Sequence, residues 1–131
     1  MEDHFTKVLD YLAELGFHPA TADAEKRLCV VNEERRGIVG LVIDCEFPIL
    51  VMEQIILNAP NLNKEAAIRL LQMNRTIVHG AFCLDESGKK VIFRDTLRLE
   101  TLDLAELQGS LESLAMALAE HSAELLRFAR S

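Results

Sequence analysis

The sequence predicts an α+β fold, an antiparallel sheet flanked by helices in the order helix, three strands, helix, two strands, helix. Three observations carry that prediction. Apolar residues recur at three- and four-residue spacing at each end of the chain and once in its middle. Runs of strong β formers, bounded by turn residues, lie between them. Helices that interrupt an antiparallel sheet in this way define the class.

The elements follow in order. Residues 3–15 place Phe5, Val8, Leu9, Leu12 and Leu15 on one helical stripe, with Asp3 to cap the start and Gly16 to stop it. Pro19 forbids continuation, and 17–26 reads as a polar connector. Strands are expected over 27–33, 38–46 and 49–57. Glu34-Arg35-Arg36-Gly37 turns between the first two, and Phe47-Pro48 breaks the chain before the third. In the third, Ile49, Val51, Ile55 and Leu57 share one side and Leu50, Met52 and Ile56 the other. Both faces are therefore largely apolar, whereas a sheet with one solvated face alternates more cleanly.

Asn63 caps a helix over 64–74, stapled by Leu62 and Ala67. Residues 76–84 and 90–99 are expected to form a hairpin around Asp85-Glu86-Ser87-Gly88-Lys89. On its second strand Val91, Phe93, Leu97 and Leu99 share a face that Asp95 interrupts. A neighbour's arginine, such as Arg94 or Arg98, or a bulge would accommodate that carboxylate. The last helix opens on an Asp103/Glu106 capping box and runs to about Arg130. Its stripe is Leu104, Leu107, Leu111, Leu114, Leu118, His121, Leu125 and Phe128. His121 is expected as a hydrogen-bonded core or interface residue.

A chain of 131 residues suits one domain, 1–131. Half the residues are hydrophobic and 27% charged, which fits a folded domain and excludes disorder. Fourteen Lys and Arg against 21 Asp and Glu give a net charge of −7, which disfavours general nucleic-acid binding. Cys29, Cys45 and Cys83 are odd in number, widely spaced and set in apolar runs, as expected of buried free thiols in a reducing compartment. The acidic start Met1-Glu2-Asp3-His4 predicts no secretory signal. The apolar run Phe47 to Leu57 is interrupted by Glu53 and Gln54 and falls short of the ~20 residues that span a bilayer. A cytoplasmic protein is expected, with no membrane contact.

No enzyme constellation emerges. Gly37 and Gly40 precede no helix, so they form no phosphate loop. His4, His18, His79 and His121 lack metal-ligand spacing, there is no Cys-x-x-Cys, and no Gly-x-Ser-x-Gly elbow occurs. Asp44, Glu46 and Glu53 lie on apolar strands, where carboxylates commonly guard a sheet edge. Asn74-Arg75-Thr76 matches a glycosylation sequon by chance. No cofactor, metal or catalytic residue is assigned. A small enzyme remains an open alternative, to be revived by a deep pocket where His79 or Cys83 meets a carboxylate. The excess apolar surface points instead to a homodimer with a groove for a partner's hydrophobic segment.

Leu70-Leu71-Gln72-Met73-Asn74, then Gly80-Ala81-Phe82-Cys83-Leu84-Asp85 with Gly88, then Val91 to Leu99 and Leu102-Asp103-Leu104 carry a family resemblance. With the element order, they make the chain similar to the type III secretion chaperone-like superfamily, which includes the Tir chaperone (CesT) family and YbjN-type proteins. The resemblance implies a small acidic dimer that holds an extended segment of a protein partner, such as a secreted effector, without hydrolysing ATP. By position it implies dimer contacts at Ile68, Leu71, Ile77 and Phe82. It implies segment binding by the first helix and outer sheet face, at Phe5, Leu9, Leu50, Met52 and Ile56. The YbjN branch implies the alternative, a regulatory or stress-related adaptor binding a folded signalling partner.

Overall fold

The structure, a computed structural model, describes residues 3–130. Met1, Glu2 and Ser131 lie outside the described residues, so the acidic start is seen only from Asp3 onward. Helix α1 (His4–Glu14) begins where the Asp3 carboxylate accepts the Phe5 N–H at 3.1 Å. Strands β1 (Thr21–Asp23), β2 (Leu28–Glu33), β3 (Ile38–Glu46) and β4 (Ile49–Asn58) follow, with a 3₁₀ turn at Glu34–Arg36. Helix α2 (Lys64–Met73) is capped by Asn63, whose side chain accepts the Ala66 N–H at 2.8 Å. Strands β5 (Ala81–Leu84) and β6 (Lys90–Arg98) form the hairpin. Helix α3 (Leu104–Arg130) starts under Asp103, which accepts the Glu106 N–H at 2.7 Å. All strand pairs are antiparallel, in the order β1-β2-β3-β4-β6-β5.

Two expectations need correction. The connector 17–26 contains β1, which pairs with β2 from Thr21↔Val30 to Asp23↔Leu28. The strand placed at 76–84 begins only at Ala81. Residues 74–76 form a 3₁₀ turn instead, because the Asn74 side chain clasps Phe82, accepting its N–H at 2.8 Å and donating to its carbonyl at 3.0 Å. The chain then crosses α3, where the Ser113 hydroxyl bonds both the His79 N–H and carbonyl. It re-enters the sheet at Gly80, where φ is 82° and an added Cβ would stand 2.7 Å from the Phe93 ring, which leaves no room for a side chain.

The register sorts the strands into two faces. Cys29, Val31, Leu41, Ile43, Cys45, Leu50, Met52, Phe82, Val91 and Phe93 point inward, into one core with Phe5, Val8 and Leu12 of α1, Leu70 and Met73 of α2, and the α3 stripe. Each fully buried Leu, Ile, Val or Phe contributes ~1.5–3 kcal/mol. A bulge between Ile55 and Leu57 swaps the phase of β4, bringing Leu57 opposite the buried Val91 instead of beside Ile55. Gln54 is also buried on the inner face, and its amide accepts from Val39 N–H and donates to the Gly37 carbonyl.

Three polar expectations are also resolved. Asp95 meets no arginine; it accepts the Ser110 hydroxyl at 2.6 Å and its neighbour's Thr96 N–H at 2.9 Å. His121 is buried edge-on to Phe82, but its Nε2 has no hydrogen-bond partner among the described residues. Asp44, Glu46 and Glu53 are on central strands rather than at a sheet edge.

Candidate functional site

The outward-facing side of the same strands carries Leu28, Val30, Val42, Ile49, Ile55 and Ile92, which lie outside the core cluster, and Val51, which is buried. Ile55 is 56% exposed. Polar side chains alternate with them: Asp44 and Glu46 on β3, Glu53 on β4, and Arg94, Thr96 and Arg98 on β6. Arg94 pairs with Glu53 at 3.3 Å, and Asp44 lies two residues from Glu46. The Asp44 carboxyl is raised by partial burial and by the Glu46 charge beside it. The helices bury their apolar stripes on the other side, so this face is left as a mixed surface of aliphatic and charged side chains, with Ile55 its exposed hydrophobic.

The residues assigned to segment binding fall differently. Phe5, Leu50 and Met52 are fully buried in the core, and Leu9 and Ile56 are half-buried against it. A segment lying on the outside cannot reach the first three. The alternation along β4 was legible, but its polarity is inverted: Leu50 and Met52 face the helices, while Ile49, Val51 and Ile55 face outward. The signal available was Glu53 and its opposite Arg94, a charge pair that belongs on the solvent side.

The residues assigned to dimerisation split as well. Leu71 is 70% exposed and Ile68 also lies on the open side of α2. Ile77 is half-buried beyond the end of that helix, and Phe82, 3% exposed, packs inside against Phe93 and His121. Three of the four thus cluster near the surface of one helix and its exit; Phe82 supports them from within.

The chemistry of the cavities is mild. His79 lines a pocket of about 240 Å³ with Glu112 and Glu120, yet its ring makes no hydrogen bond to either carboxylate. Cys83 shares a pocket of about 260 Å³ with Asp95, whose carboxylate is already bonded to Ser110 and Thr96. Burial and the nearby Glu53 push the Cys83 thiol up, opposite to what an activated nucleophile needs. Burial likewise lifts Cys29 to about 11 and, with Cys29 and Asp44 adding, Cys45 to about 12. All three cysteines are free thiols. Among the described residues, no group of three His, Cys, Asp or Glu could hold a metal ion, and no helix is long and apolar enough to cross a membrane.

The model of the CesT_Tir_1 family matches residues 1–131. The chain belongs to the CesT_Tir_1 family. Solved structures resemble this CesT_Tir_1 chain over most of their length. YbjN from E. coli superposes with a TM-score of 0.69 at 14% identity, covering 92% of each chain. A chain of the HopA1-SchA chaperone-effector complex gives 0.64 at 15% identity, covering 88% of this chain and 91% of that one. A chain of the ExoT-SpcS complex from Pseudomonas aeruginosa gives 0.62 at 16% identity, covering 92% and 98%. At these identities the likeness shows the fold. No curated protein matches the sequence.

Proposed function

We propose that this chain is a non-enzymatic, dimeric, chaperone-like protein that binds an extended hydrophobic segment of a partner protein, such as a secreted effector. The observation that carries the reading is the outer face of the sheet around Val42, Ile55 and Ile92, whose aliphatic side chains lie outside the core cluster and are flanked by Glu53 and Arg94. An extended segment presents alternate side chains to one side and so fits a flat pleated face. Family membership supports the reading, as does the presence of chaperone-effector complexes among the structures of similar fold. The net charge of −7 keeps such a surface soluble.

Dimerisation is assigned to the open side of α2, through Ile68 and Leu71 with Ile77. Light scattering coupled to size exclusion tests it: the wild type is expected as a dimer and Leu71→Asp as a monomer. A monomeric wild type at high concentration removes the dimer. Co-purification from the native host tests the segment, with a bound protein expected on the wild type and lost from Ile55→Glu. The YbjN likeness favours a second reading, an adaptor that binds a folded partner. Limited proteolysis separates the two. A bound region that is digested when free and protected when held supports the segment; one that resists digestion alone supports the adaptor.

A further inference from the structure

A second surface lies on the opposite side of the molecule from the open sheet face. The 3₁₀ turn between β2 and β3 ends at Gly37, where φ is 79° and an added Cβ would stand 3.2 Å from Leu118 Cδ1. Because no side chain intervenes, the turn rests directly on α3 and sets Arg35 and Arg36 along its flank. Beside them α3 presents small residues, Ala115, Ala119 and Ser122, and the far rim is Met116, 69% exposed. The result is a trough of about 640 Å³. From Ala115 to Ser122 it runs ~10 Å along the helix axis, about two turns.

Two features define what fits. One wall is a helix whose backbone is bonded internally and the other a three-residue 3₁₀ turn, too short to serve as a sheet edge, so an incoming strand finds no edge to pair with. The occupant must satisfy its own backbone, which makes it helical. The second feature is charge. Arg35 and Arg36 form no ion pair among the described residues, although the chain carries a surplus of seven negative charges. Glu112, which accepts from Gln108 at 3.2 Å, lies toward the N-terminal end of the trough and gives it a direction.

We propose that this trough docks a short amphipathic helix of a protein partner, with its apolar face on Ala115, Met116 and Ala119 and acidic residues along the flank that meets Arg35 and Arg36. This site is separate from the sheet face and takes a different conformation of chain. Small residues on α3 allow close helix approach, and the arginines set orientation and speed encounter.

The probe is a labelled synthetic helix with a leucine and alanine face and glutamates along one flank, titrated into the full-length protein and followed by fluorescence anisotropy. Saturable binding is expected, weakened about tenfold or more in the Arg35→Glu/Arg36→Glu variant and by added salt. A twin with lysines for the glutamates is expected to bind at least about tenfold more weakly. Ala119→Arg, which fills the trough from an exposed position, is expected to abolish binding. Hydrogen exchange should show protection confined to the trough. The proposal is overturned by no saturable binding, by equal affinity for the double variant or the lysine twin, or by protection on the sheet face. Should Ala119→Arg misfold, the exposed arginine pair still decides. Failure here leaves the segment-binding reading standing, because that reading is tested at Ile55.

Discussion

The two faces of the sheet are built from the same six strands and both carry aliphatic residues, yet they differ in what lies between those residues and in what covers them. On the inner face Leu50, Met52, Ile43 and Leu41 meet the stripes of three helices and are sealed. On the outer face Val42, Ile55 and Ile92 have comparable side chains but lie outside the core cluster, among Asp44, Glu53 and Arg94. The aliphatic residues alone therefore do not separate the faces; the charged neighbours on the outer side and the helices over the inner side do. The lesson is that surplus hydrophobicity in a small acidic chain is divided between stability and contact, and the register assigns each residue to one use.

The contrast is broken most forcefully from inside. Leu50→Ala leaves a cavity beneath the helices and is expected to cost ~2–5 kcal/mol, read from urea unfolding. A loss under ~1 kcal/mol would mean that the inner face is not sealed. The cysteines give a second handle. Cys29 and Cys45 on the inner face titrate in the fold near 11 and 12, above their free value of 9.0. Because the folded values are raised, their contribution is fully present below pH 9.0 and is lost as pH climbs through that window. Urea midpoints should fall over this alkaline range, and Cys29→Ala with Cys45→Ala should flatten the fall. The smallest effect belongs outside. Ile55→Ser is expected to change stability by no more than ~0.5 kcal/mol, since exposed substitutions touch little. A loss several times larger would place a cover over the outer face.

Much of this was legible from local chemistry. Asp3, Asn63 and Asp103 all cap helices as their positions predict, because a cap is a contact between near neighbours. What escaped was decided at long range. Thr21-Ala22-Asp23 has no strand pattern and becomes one only by pairing with β2. Thr76-Ile77-Val78 has a strand's residue types and is denied a strand by the Asn74 clasp on Phe82 and by the Ser113 bond to His79. Periodicity showed that β4 has two apolar sides, but which one meets the helices is a property of the assembled sheet. That is why Leu50 and Met52, expected at a binding surface, are core. The trough beside Arg35 and Arg36 had no sequence signal beyond two adjacent arginines and a run of small residues on a distant helix.

Gln54 couples these regions. Its amide stands in for a missing length of strand, holding Val39 and Gly37 where β3 leaves its partner. Those are the residues that seat the 3₁₀ turn on Leu118. The backbone just after the two arginines is thus held from the middle of the sheet by one buried, uncharged side chain. The seating of the turn that forms one wall of the trough therefore rests in part on a buried amide that lines none of it.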